Sequence, residues 1–228
     1  MLRWSPVTQK CAFLATLLLA ASLIDGPVFG TPREQLIPIL GVTTGQKESG
    51  RHGLLCTGLV RRTTGPDRSD AALPHNTRRF SRMAQTSIEQ AIRRSARSLG
   101  VSIDSWTVEL SVPYAGMTIY GDSVSAMVSL SVAAMAQGKT VSTGHVLTGT
   151  VTPDGEIGPI GSVPLKVQAA RAAKLRRVVV SKHTPAGEHA GNLPVSIQVS
   201  PVQSVPEALD ALTDSPPMKS TIIEVEQR

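Results

Sequence analysis

Ser123 and Lys166 are the two side chains in this sequence whose surroundings suit nucleophile and base chemistry. Ser123 follows a loop holding Gly116 and Gly121 and opens a run of small, apolar residues, 123–137, that reads as a buried helix. Asp122 is placed to be its N-cap and Gly138 to end it. The first N–H groups of a helix have no intrahelical partner, and such donors can hold a developing oxyanion. Ordinary capping accounts for a serine there equally well. A serine hydroxyl needs a base, and a neutral lysine can serve in place of histidine. Lys166 falls in the first turn of a helix read over 164–175, among Val163, Leu165 and Val167. Burial and the positive end of the helix dipole would both disfavour its ammonium form. On position alone, a solvated lysine is the commoner case.

Other arrangements fail on spacing. Gly138-Lys139-Thr140 looks like the end of a phosphate loop, but Ala133 stands where that pattern needs glycine. Gly121-Asp122-Ser123-Val124-Ser125 misses the G-x-S-x-G elbow at its last position. The five histidines show no metal-ligand spacing, and two cysteines make neither a disulfide scaffold nor a cysteine-rich zinc site. No metal or cofactor is expected. A Ser-His-Asp site using His145 stays open, with no carboxylate paired to it in the sequence.

The elements that must position Ser123 and Lys166 follow from patterning. Strands are read at 35–42 and 54–60, then an exposed loop over 61–79 rich in Pro, Gly, Asp and Arg. A helix over 81–99 carries Met83, Ala84, Ile88, Ala91, Ile92, Ser95, Ala96 and Leu99 near one stripe, with Gly100 as its C-cap. Arg93, Arg94 and Arg97 suit the end of that helix. Further strands are read at 106–112, 141–152, 177–181 and 195–199. The run 152–161 is a series of turns, and a short helix covers 205–212. The expected class is α/β, a mixed sheet backed by helices in one domain.

The chain ends read differently. Arg3 and Lys10 precede and flank a 14-residue uncharged stretch, 11–24, broken by Asp25, Gly26 and Pro27. Val28 and Gly30 fit a cleavage site. This is the pattern of a secretory signal, short for a bilayer span of about 20 residues, with an uncleaved membrane anchor as the other reading. The expected organisation is therefore a signal peptide or anchor over 1–30, a domain over 31–212 and a flexible tail over 213–228. Secreted or periplasmic localisation follows. Beyond residue 30 the 21 basic and 16 acidic residues leave a net charge of +5, and Cys56 is the one remaining cysteine. The 228-residue chain is 41% hydrophobic and 18% charged, which excludes a disordered charged tail and a multi-span membrane protein. Only seven aromatic residues are present, which opposes base stacking and with it nucleic-acid binding.

The stretch 121–180 resembles the proteolytic domain of Lon proteases, a family that uses a Ser–Lys dyad. Ser123 and Lys166 are 43 residues apart, the family's spacing. Between them lie Leu147-Thr148-Gly149, Gly155 and Pro159-Ile160-Gly161; after them come Ala169-Ala170 and Val178-Val179-Val180. The helix from Met83 and the Val112-Pro113 pair also fit, so the resemblance spans roughly 35–212. It implies the Lon proteolytic-domain-like fold, which is ribosomal protein S5 domain 2-like. It implies Ser123 as nucleophile, Lys166 as general base and Thr148 as the residue hydrogen-bonding the lysine, with Gly121 and Asp122 supporting the serine. A polypeptide substrate and a homo-oligomer, a hexameric ring, are implied as well.

Gly-Asp-Ser-x-Ser resembles the membrane-anchored archaeal branch. Tyr120, Thr150 and Ser111 stand where the family often has an acidic residue, an acidic residue and a histidine. The sequence carries no phosphate loop for the ATPase module Lon proteins normally bear, so ATP-independent cleavage of unfolded or flexible segments is expected. The alternative is a catalytically inactive Lon-like domain serving as an assembly or binding module, since a fold does not by itself fix activity.

Overall fold

The computed structural model describes residues 34–44, 51–63, 79–104, 106–112, 117–185 and 197–213. The expected signal segment, the 213–228 tail beyond Thr213 and most of the 61–79 loop lie outside the described residues. Among the described residues no helix is long and apolar enough to cross a membrane.

Strands β1 (Glu34–Thr44) and β2 (Arg51–Thr63) pair antiparallel, with Ile39 opposite Cys56. Both run longer than their apolar cores suggest, and Arg61 and Arg62, expected in a loop, are ladder residues in β2. Cross-strand partners account for this. Arg61 bonds Glu34 at 3.2 Å on β1, and the Arg62 guanidinium stacks 4.4 Å above the Trp106 ring. Strand β3 (Thr107–Ser111) joins the other edge of β2, giving the order β1-β2-β3.

Helix α1 (Arg82–Leu99) begins at Ser81, whose hydroxyl accepts the Ala84 N–H, and ends at Gly100 in the left-handed region. Its stripe is buried as read, except Leu99, which is partly buried, and Met83, which is exposed. Of the three arginines, Arg97 alone lies in the last turn; Arg93 pairs with Glu89, and Arg94 donates to the Val151 carbonyl at 2.6 Å. Helix α2 (Ser125–Ala136) is buried from Ser125 to Met135, which explains why it is apolar on every face. Its serines bury hydroxyls without leaving them unpaired: Ser129 bonds Ala126 O and Ser95 on α1, and Ser131 bonds Met127 O. Small residues let α1 and α2 approach closely, and each large buried side chain such as Leu130 contributes about 1.5–3 kcal/mol.

The run read as one strand over 141–152 is broken. Residues 141 and 142 are irregular, 143 and 144 form a turn, β4 spans His145–Thr148, and after Gly149 the chain leaves for β5 (Thr150–Val151). β5 pairs antiparallel with β6 (Ile157–Gly158), a hairpin hidden in the turn-rich stretch. Helix α3 (Val163–Ala172) follows, ending three residues short of its expected end. Strands β7 (Arg177–Ser181) and β8 (Gln198–Val202) lie parallel to β4 in the order β4-β7-β8. Of the strand read at 195–199, residues 195 and 196 lie outside the described residues; β8 takes in 198 and 199, runs on to Val202 and includes Pro201, tolerated because β8 is an edge strand. Helix α4 (Val205–Thr213) closes the described chain. The α/β class holds: among the described residues four helices accompany three separate sheets, not one mixed sheet, and the run read as one strand divides after Gly149 between two of them.

Candidate active site

A groove of about 1040 Å³ runs past the 39–43 stretch of β1, the 117–120 segment, the turn carrying Ser123 and the start of α3. Ser123 and Lys166 both line it. Two loops of backbone bonding bring their elements together. The Gly149 N–H donates to the Ser123 carbonyl at 3.0 Å, and the Gly149 carbonyl accepts the Ala126 N–H at 3.2 Å. Thr148, one residue earlier, accepts a hydrogen bond from Lys166 Nζ at 3.1 Å through its Oγ1. Two consecutive residues at the end of β4 thus hold the serine turn and the lysine side chain. Gly149 must be glycine for this contact, since a Cβ would lie 2.9 Å from Ile157 Cγ2.

Lys166 is only 4% exposed, so the solvated reading of it does not hold. It lies on the buried stripe of α3 with Val163, Val167 and Ala170, at the spacing of one helical face. That face was the available sequence signal: a lysine occupies a position the stripe assigns to an apolar side chain. Its amide makes the first i→i−4 bond of α3, to Ser162 O at 3.2 Å. Ser162 has φ 62°, a left-handed conformation that a non-glycine residue adopts at a cost of about 1–3 kcal/mol. Nothing in the residue types signals that strain, which lies at the position just before α3.

The expectation for the serine turn is corrected in detail. Ser123 is partly buried and lies two residues before α2, not inside it. Val124, already in a helical conformation, occupies the capping position, and no side chain caps the helix. Asp122 is exposed on the groove and is not the N-cap; its carbonyl accepts the Ser125 N–H at 2.9 Å. The cause is a tight turn over 121–124, in which Gly121 adopts φ 84°. Two N–H groups expected to be available beside the serine, those of Ser125 and Ala126, donate elsewhere.

His145 does not join the groove. It starts β4, is 3% exposed, and its Nδ1 lies 3.1 Å from the Ala211 carbonyl, which also receives Arg177. That pairing locks α4 onto the parallel sheet and leaves the Ser-His-Asp reading without its base. Cys56 lines the groove from β2 with 3% exposure, and burial pushes its thiol pKa up. Among the described residues no group of His, Cys, Asp or Glu side chains is arranged to hold a metal ion.

Residues 78–213 match the model of the Lon protease (S16) C-terminal proteolytic domain. The chain belongs to this family. The match takes in every element from α1 to α4, while β1 and β2, which also line the groove, precede it. The chain is also similar to a curated "Archaeal Lon protease" of Archaeoglobus fulgidus, 28% identical over 110 residues. That similarity covers 46% of this chain and 17% of the relative's length. The resemblance read from the 121–180 landmarks is thereby borne out at the level of the family.

Proposed function

We propose that this protein is a serine endopeptidase in which Ser123 is the nucleophile and Lys166 the general base. The observation that carries this reading is the buried Lys166 amine, held 3.1 Å from Thr148 Oγ1 and lining the same groove as Ser123. An apolar surrounding favours the neutral amine over the ammonium. A neutral amine that donates one N–H to Thr148 keeps its lone pair for the serine proton. Lys166 takes that proton as Ser123 Oγ attacks a peptide carbonyl, then returns it to the departing amine. Water hydrolyses the resulting acyl-enzyme by the same proton path. With the Ser125 and Ala126 amides engaged by the Asp122 and Gly149 carbonyls, the developing oxyanion would draw on other N–H groups of this turn.

The remaining parts of the reading are these. Residues 31–212 form a proteolytic domain of the ribosomal protein S5 domain 2-like fold, exported or membrane-anchored through 1–30 and assembled into a ring. It acts without ATP on flexible or unfolded polypeptides. The test is cleavage of unfolded casein by the full chain and by its Ser123→Ala and Lys166→Ala variants, with and without ATP. Wild type cuts in both conditions, and each variant loses on the order of 10⁴-fold or more in kcat, because the pair acts as a unit. Equal cutting by all three proteins contradicts the dyad. No cutting by any of them favours the binding-module alternative.

A further inference from the structure

We infer that Tyr120 is the specificity-determining residue of this groove, its ring forming the contact surface for a bulky aliphatic or aromatic side chain of the bound polypeptide. The inference rests on the peptidase reading and names the substrate feature that the same site selects. Tyr120 is 75% exposed, yet it lines the groove three residues before Ser123. Among the described residues, Leu36 and Met83 are the other large apolar side chains left so exposed, and neither lines the groove.

The backbone beneath the ring is fixed. Ile119 donates its N–H to the Arg79 carbonyl at 2.7 Å and accepts the Ser81 N–H at 2.9 Å, a parallel bridge to the buried Phe80. Immediately after Tyr120, Gly121 turns the chain at φ 84° toward Ser123. The ring is therefore carried by an anchored segment and presented to water at the rim, an arrangement that contributes nothing to the core. Binding an apolar side chain against it removes that surface from water.

The lining beside it is mixed, with an aliphatic part among Thr43, Thr118 and Ser162. Ile39, Leu40, Leu54, Met117 and Ile160 line the groove, and its charged members are Lys166 and Asp122. A basic substrate side chain would find one exposed carboxylate, and an acidic one would have to reach the buried lysine. Leucine, phenylalanine and tyrosine would find apolar surface in the Tyr120 ring and in the aliphatic part of the lining.

The experiment uses peptides that differ in one position between glycine, leucine, phenylalanine, lysine and glutamate. Cleavage is followed with the active full chain, and binding by fluorescence anisotropy with the Ser123→Ala chain. Tyr120→Ala lowers kcat/KM for the leucine and phenylalanine peptides about tenfold, through KM, and leaves the glycine peptide unchanged. Tyr120→Phe retains the wild-type preference, and Tyr120→Asp moves it toward lysine. Melting temperatures stay the same, because the ring is exposed. A uniform loss across all peptides, or no change in any, overturns the inference while leaving the peptidase reading intact. Selective binding that follows Tyr120 without cleavage by the active chain supports the inference and removes the peptidase reading. Failure of every peptide to bind overturns the inference.

Discussion

Gly53→Ala tests how Lys166 is held in place. Gly53 in β2 is where α3 lies against the antiparallel sheet. A Cβ at that position would sit 1.9 Å from the Leu165 carbonyl oxygen, 2.7 Å from its carbon and 2.9 Å from Ala169 Cβ. Cβ atoms do not approach other heavy atoms closer than 3.0 Å, so α3 must withdraw by about 1.1 Å. The obstructing atoms are helix backbone, so no side-chain rotation relieves the clash. Leu165 immediately precedes Lys166, and the same withdrawal stretches the 3.1 Å bond from Nζ to Thr148 beyond hydrogen-bonding range. A displacement of about 1 Å at a reacting group costs on the order of 10²-fold in rate. Overpacking of this kind costs about 1–3 kcal/mol in stability. The assay is kcat on a fluorogenic peptide beside thermal unfolding of the same preparation. The expected result is a folded protein, lowered in melting temperature, with kcat down about 100-fold. Wild-type kcat together with wild-type melting temperature would refute the packing of α3 on Gly53 as the device that places the lysine.

Other outcomes follow from single contacts. Thr148→Val removes the acceptor for Lys166 Nζ and lowers both stability, by about 1–3 kcal/mol, and kcat, whereas Thr148→Ser restores most of each; unfolding curves and rates read both effects. Burial raises the Cys56 thiol pKa, so the folded chain holds its proton more tightly than the unfolded chain. That contribution to stability is complete below the thiol's ordinary value near 9.0 and fades as pH climbs through the folded value; melts from pH 7 to pH 10 on wild type and Cys56→Ala separate it from other alkaline effects. His145→Ala loses the bond to Ala211 and is destabilised by about 1–3 kcal/mol, yet below its melting temperature it keeps wild-type kcat, as a rate assay at reduced temperature shows.

The sequence carried the strong periodicities well. Helix α1, with Ser81 before it and Gly100 after it, has both ends written in residue type. The all-apolar run of α2 announced its burial, but not its first residue. Whether Ser123 or Ser125 opens the helix depends on a turn over 121–124 held by Gly149, 26 residues away, and local propensity does not contain that bond. β8 runs three residues past its expected end at 199, because Pro201 argues against a strand unless the strand is known to lie at a sheet edge. β5 and β6 are two residues each, too short for any alternation to register. For the site, the 43-residue separation and the landmarks between pointed, through the family resemblance, to Ser123, Lys166 and Thr148; the structure puts Ser123 and Lys166 on one groove and bonds Thr148 to the lysine. Gly53 and Ser162 were not legible. Their importance lies in a helix backbone passing within contact of one and in a left-handed turn at the other, and both are properties of the assembled chain.

The most direct measurement is to treat the folded chain with a fluorophosphonate, digest it and locate the adduct by mass spectrometry. A phosphonate on Ser123 in wild type, lost in Lys166→Ala, and restored by neither Thr148→Val nor Gly53→Ala added to that variant, is the expected result. An adduct on a different residue, or labelling of Ser123 that proceeds at the same rate without the Lys166 amine, would contradict the account.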